Sequence, residues 1–122
     1  MKRDTVTMYH NPRCMKSRQT LQLLREHGIE PEIVEYLKTP PTAAELAGLL
    51  KRLKLSPQQI VRRGEPAFRE QKLADRELSD QAWLQLLVEQ PALIERPIVV
   101  KGARAVIGRP PENVLTLLTE KD

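Results

Sequence analysis

The sequence predicts an α/β fold, a mixed β-sheet flanked by helices with an inserted helical segment. Two observations carry this. Short β-branched runs near both ends of the chain alternate with leucine-bearing stretches at helical spacing. Their order is β-α-β, a helical segment, then β-β-α. At 122 residues the chain is one domain's worth of protein, read as a single domain over 1–122.

Each element has a local reason. Residues 5–9 alternate and carry Val6 and Thr7, so they read as a strand. His10-Asn11-Pro12-Arg13 is a turn. A helix starts near Cys14 or Ser17, takes its apolar face from Leu21, Leu23 and Leu24, and closes at His27-Gly28. Residues 32–36, with Ile33, Val34 and Tyr36, read as a second strand. Pro40-Pro41 breaks the chain, and Thr42 is an N-cap for a helix over 43–53 bearing Leu46, Leu49, Leu50 and Leu53. Pro57 suits the first turn of a short helix that runs through Ile60 and Val61 to Arg62-Arg63. Gly64-Glu65-Pro66 interrupts it. The stretch 67–78 is polar and helical for one short turn at most. Ser79 caps a clearer helix with Trp83, Leu84, Leu87 and Val88 on one face, ended by Pro91. Residues 97–101 and 103–107 are strands around Gly102, most simply a hairpin. Pro110-Pro111-Glu112 opens a last helix with Val114, Leu115, Leu117 and Leu118. A parallel pair with a crossover helix, then a hairpin and a helix, is the order of a thioredoxin-like fold. The helical insertion, about 42–90, is longer than the minimal version needs.

Composition excludes several function classes. There is one cysteine, Cys14, so no intrachain disulfide forms. With only His10 and His27 beside it, a four-ligand zinc site of Cys and His cannot be assembled, and no metal is expected. No long apolar run predicts a membrane span, and residues 1–8 lack the apolar core of a signal peptide. A reducing cytoplasm is the expected location. The net charge of +4 comes from interspersed signs, and there are only four aromatic residues besides histidine, Phe68, Trp83, Tyr9 and Tyr36. That is a poor stacking surface, so nucleic acid is not an expected partner. A monomer is expected.

Cys14 follows a strand and a Pro-containing turn and opens a helix. Unpaired backbone N–H groups and the helix dipole favour negative charge there, so the thiolate is favoured. Arg13, Lys16 and Arg18 add positive charge. His10 is expected close enough to stabilise the thiolate as imidazolium. Cys14-Met15-Lys16-Ser17 is C-x-x-S, which leaves no internal resolving thiol, so a reduction needs a thiol from outside. Ser17 has a hydroxyl to donate to the thiolate or an anion. The phosphatase pattern C-x5-R fails because Thr20 stands six after Cys14. Among 12 arginines, three stand out by context. Arg96 precedes Pro97 and an apolar strand, Arg109 ends the hairpin before Pro110, and Arg62 ends an apolar helical turn. A guanidinium matches a tetrahedral oxyanion with forked donors. The Arg96-Pro97 bond is a candidate cis peptide that would fix Arg96 rigidly.

Tyr9-His10-Asn11-Pro12-Arg13-Cys14-Met15-Lys16-Ser17-Arg18-Gln19-Thr20-Leu21 resembles the active-site segment of the glutathione/glutaredoxin-coupled arsenate reductases, the ArsC family. Ile60–Pro66, Ile94–Val100 and Val106–Pro110 resemble that family's three arginine segments, in order along almost the whole chain. The resemblance implies a thioredoxin-like fold with an inserted helical subdomain and Cys14 as nucleophile assisted by His10 and Ser17. It implies Arg62, Arg96 and Arg109 as oxyanion-binding residues and a cis Pro97. It further implies arsenate as substrate, glutathione as co-substrate, glutaredoxin as partner, and no bound cofactor. Met15 and Lys16 depart from the small residues that often follow the family's cysteine, which changes the rim of the anion pocket. Two other readings share the fold. One is a glutathione-dependent thiol transferase or oxyanion reductase with another substrate. The other is an Spx-type regulator that binds RNA polymerase; Ser17 in place of a second cysteine argues against it.

Overall fold

Alternation along Val6–Tyr9 buries Val6 and Met8 on one face, and this four-residue strand, β1, is one of the two inner strands of the sheet. The computed structural model describes residues 5–119. They gather into two compact units: Pro40–Glu95 is one, and the described residues on either side of it form the other.

The split unit holds a four-stranded sheet of order β2-β1-β3-β4, with β2 at Glu32–Val34, β3 at Ile98–Lys101 and β4 at Arg104–Ile107. β1 runs parallel to β2 and antiparallel to β3, and β3 and β4 make the antiparallel hairpin. The register sets Met8 opposite Val99 and Val99 opposite Val106. That row packs with Val6, with Leu24 of α1 (Met15–Glu26), and with Val114 and Leu117 near the chain's end. A fully buried side chain of this size contributes about 1.5–3 kcal/mol. The sheet is thus mixed and flanked by helices, as a thioredoxin-like order requires. Gly28 and Gly102, at φ +77° and +61°, supply the left-handed residues that close α1 and turn the hairpin.

Two expected elements differ in this unit. β2 ends at Val34 and does not reach Tyr36. The Lys38 and Thr39 N–H groups both donate to Glu35 O at 2.9 Å, so residues 35–39 turn instead of extending. The last helix is divided: Pro111–Val114 is a 3₁₀ turn and α5 follows at Leu115–Thr119. Asn113 Nδ2 donates to Ile107 O and Arg109 O, both at 3.2 Å, which ties that turn to the end of β4.

The contiguous unit is helical. α2 (Ala43–Leu53) opens on a capping box: Thr42 Oγ1 accepts from Glu45 N–H at 3.1 Å, and Glu45 Oε1 accepts from Thr42 N–H at 2.8 Å. The turn after Pro57 is 3₁₀, over Pro57–Ile60, and not α. It stops because Val61 is extended and bridges Ile94. In the polar stretch, α3 (Pro66–Glu70) and a 3₁₀ turn at Leu73–Asp75 form around buried Phe68 and Leu73. α4 (Asp80–Glu89) is capped by Ser79, which accepts from Ala82 N–H at 3.1 Å, and it buries Trp83 and Leu87. Among the described residues no helix is long and apolar enough to cross a membrane.

Candidate active site

The end of β1 delivers the thiol. His10 N–H donates to Val34 O at 2.9 Å, which extends the ladder one residue past Tyr9. The chain then turns. Asn11 Oδ1 accepts from Arg13 N–H, and Asn11 O accepts from Cys14 N–H, each at 3.0 Å. This is the local turn that asparagine favours. Cys14 sits at the N-cap of α1 with extended dihedrals, φ −92° and ψ 124°, and its side chain makes no capping bond. No acidic residue occupies the first turn. First-turn N–H groups have no partner inside a helix and the positive end of the dipole lies behind them, an arrangement that suits a negative charge. Arg18 Nη1 donates to Pro12 O at 2.9 Å and clamps the turn to the helix. Cys14 is buried, while Met15 and Lys16 beside it are exposed.

Ser17 lies one turn further along α1, fully buried. Its Oγ accepts from Asn11 N–H at 3.1 Å and is hydrogen-bonded to His10 Nδ1 at 2.7 Å. His10 is also buried, and burial is the largest influence on it, pushing its pKa below the usual 6.5. Glu35 pulls the other way, and Arg25 and Arg18 push it down further. Burial therefore favours the neutral ring, against the imidazolium expected from sequence, and the bond His10 makes is to Ser17.

The hairpin brings two arginines together. Arg96 and Arg109 are 13 residues apart, yet Arg109 Nη1 donates to Arg96 O at 3.4 Å. Gly108 N–H donates to Pro97 O at 2.9 Å and pins the two chain segments side by side. The Arg96–Pro97 peptide is cis, and so is Arg109–Pro110, which sequence reasoning did not single out. Arg96 is half-buried and Arg109 exposed. Arg62 belongs to the helical unit. Its Nη1 is ion-paired with Glu65 Oε2 at 2.6 Å and reaches Ala92 O at 3.4 Å, while its N–H donates to Leu93 O at 2.7 Å.

A cavity of about 350 Å³ opens beside the turn, lined by His10, Asn11, Arg13, Glu35, Leu37 and Lys38. The larger recess, about 580 Å³, runs along the exposed side of α1 from Met15 to Glu26 and is closed by Pro110 and Pro111; Cys14 does not line it. Among the described residues no group of three or more His, Cys, Asp or Glu could hold a metal ion. Sequence reasoning missed Asn11 and Gly108 and gave Thr20 no role. The signal for Asn11 was its place two residues before an unsatisfied turn amide; for Gly108 it was a glycine between a strand and a proline.

Residues 9–117 match the ArsC family. The chain belongs to the ArsC family. The match spans Cys14 and all three of the arginines above. An Escherichia coli K12 protein described as uncharacterized, YfgD, is 53% identical over 114 residues, covering 93% of this chain and 96% of its own length. An arsenate reductase of Rhizobium meliloti is 44% identical over 116 residues, or 95% of this chain and 83% of that protein. A solved arsenate reductase from Vibrio cholerae superposes with a TM-score of 0.89 at 45% identity, covering 94% of this chain and 98% of the other. The ArsC fold is thus the fold of this chain.

Proposed function

We propose that this protein reduces arsenate to arsenite in the reducing cytoplasm, with Cys14 as its single nucleophile and glutathione and glutaredoxin as electron donors. The observation that supports the reading most is the uncapped start of α1, where a thiol and a set of anion-seeking amides share one turn. Relatives of this length and identity that are named arsenate reductases support the substrate.

The chemistry follows from having one thiol. The Cys14 thiolate attacks arsenic(V) and a protonated oxygen leaves as water, forming an S–As bond. Glutathione displaces a second oxygen as water. The glutaredoxin thiolate then attacks the glutathione sulfur, forming their mixed disulfide, and the electron pair of the broken S–As bond stays on arsenic, now arsenic(III). Water releases arsenite and regenerates the Cys14 thiolate. Ser17, held by neutral His10 and by Asn11 N–H, presents its hydroxyl one helical turn from the sulfur. Arg96 and Arg109 carry the charge of the oxyanion; Arg62, which the family resemblance adds to them, is ion-paired with Glu65 within the helical unit.

The test is NADPH consumption with arsenate, glutathione, glutaredoxin and glutathione reductase. Wild type should turn over and Cys14→Ser should not. Arg96→Ala or Arg109→Ala should cost about 2–4 kcal/mol of transition-state stabilisation, with exposed Arg76→Ala as the control. Residual Cys14→Ser turnover overturns the nucleophile. Absent arsenate turnover alongside Cys14-dependent deglutathionylation replaces the reaction with a thiol transfer.

A further inference from the structure

Thr20 is a fully buried polar side chain on the helix that carries the thiol. A valine of the same shape would fill this space without a hydroxyl to satisfy. The hydroxyl lies within reach of two carbonyls. Thr20 Oγ1 donates to Lys16 O at 2.8 Å, within α1, and reaches Gly108 O at 3.3 Å, across 88 residues of chain. The single hydroxyl hydrogen is shared, with the stronger arm to Lys16 O in the first turn of α1 and the weaker to Gly108 O at the end of the hairpin. The other side of this seam is equally close. A Cβ on Gly108 would stand 2.7 Å from Thr20 Oγ1 and 2.9 Å from Pro97 Cγ, so only glycine fits without a shift. Gly108 N–H in turn donates to Pro97 O at 2.9 Å. The bonds run Lys16, Thr20, Gly108, Pro97, and the residues next to the last two are Arg109 and Arg96.

We propose that Thr20 is a positioning residue: its hydroxyl, closed against Gly108, holds the thiol-bearing start of α1 in register with the backbone that carries Arg96 and Arg109. This rests on the oxyanion reading of those arginines. The group makes no contact with substrate. It sets where two halves of the anion site stand relative to each other, a distance on which oriented catalysis depends steeply.

The test compares Thr20→Val with Thr20→Ser. The valine keeps volume and removes the hydroxyl; the serine keeps the hydroxyl. Melting temperature, kcat and KM for arsenate are measured on each. A second assay reads the concentration of arsenate or sulfate that protects Cys14 from alkylation by iodoacetamide. Thr20→Val should melt at or above the wild-type temperature, lose about tenfold in kcat/KM, and need about tenfold more anion for protection. Thr20→Ser should stay within about twofold of wild type. Wild-type behaviour of Thr20→Val in both assays, or an equal loss in both variants, overturns the proposal. If wild type reduces no arsenate but anions still protect its thiol, the reductase reading fails and protection alone decides Thr20. If no anion protects wild type, there is no site to position and the proposal falls.

Discussion

The starts of α1 and α2 are built to opposite rules. α2 closes its first turn completely: Thr42 and Glu45 exchange bonds, and the acid sits on the positive end of the dipole. α1 begins with Cys14, which caps nothing, and has no acid in its first turn; Lys16 and Arg18 stand there instead. By the rules of helix stability α1 is the worse helix. Under the proposed function, the difference teaches that the open end is reserved. A capping side chain would occupy the amides that an oxyanion needs, and a carboxylate would repel it. The helical unit has no such break among its longer helices, since α4 also starts on a bonded serine cap.

The comparison is broken most sharply at Cys14. Cys14→Ser supplies the missing cap, because a serine hydroxyl at that position accepts from the first turn as Ser79 does in α4. The variant should therefore lose turnover entirely while gaining up to about 1 kcal/mol of stability. Urea denaturation beside the coupled assay reads both. A variant that is inactive and clearly less stable would mean that the thiol is a packing residue and that the uncapped end serves no anion.

Thr42→Ala is the mirror experiment. It removes the capping box from α2 and should cost about 1 kcal/mol. Turnover per folded molecule should be unchanged, since Thr42 exchanges its capping bonds with Glu45 in the same turn and is not one of the proposed site residues. A drop in kcat without a drop in stability would show that the two helix starts are not as separate in function as their chemistry suggests.

How far sequence carried the structure depends on whether a feature is local. α2 spans 43–53 as its leucine spacing and threonine cap require. The hairpin turns at Gly102, and Cys14 stands at the first residue of its helix boundary. What sequence could not show was decided by partners far along the chain. The 3₁₀ turn after Pro57 ends where Val61 finds Ile94. Thr20 looked like a failed arginine position until Gly108, 88 residues away, came to meet it. His10 was assigned a charge because its depth of burial is not written in its neighbours. Rules broken at Cys14, Ser17 and Thr20 mark the site, in keeping with local inconsistency concentrating where function is.

The smallest effect expected is the pH dependence of stability at His10. Its pKa is lowered in the folded protein, chiefly by burial, so between that value and the unfolded value near 6.5 the unfolded chain binds more protons. The contribution is fully present above 6.5 and is lost as pH falls through 6.5 toward the folded pKa. Stability measured by urea at pH 7.5 and 5.5 should fall on acidification, and His10→Gln should flatten that part of the slope. The sign separates the two roles this histidine has been given. An imidazolium paired with the thiolate would have a raised folded pKa, and stability would then be lost as pH rises through it. A slope of that sign in wild type, absent in His10→Gln, would return the charge to His10 and make the start of α1 an imidazolium-assisted site; the expected slope leaves positive charge there to the helix amides, Lys16 and the arginines.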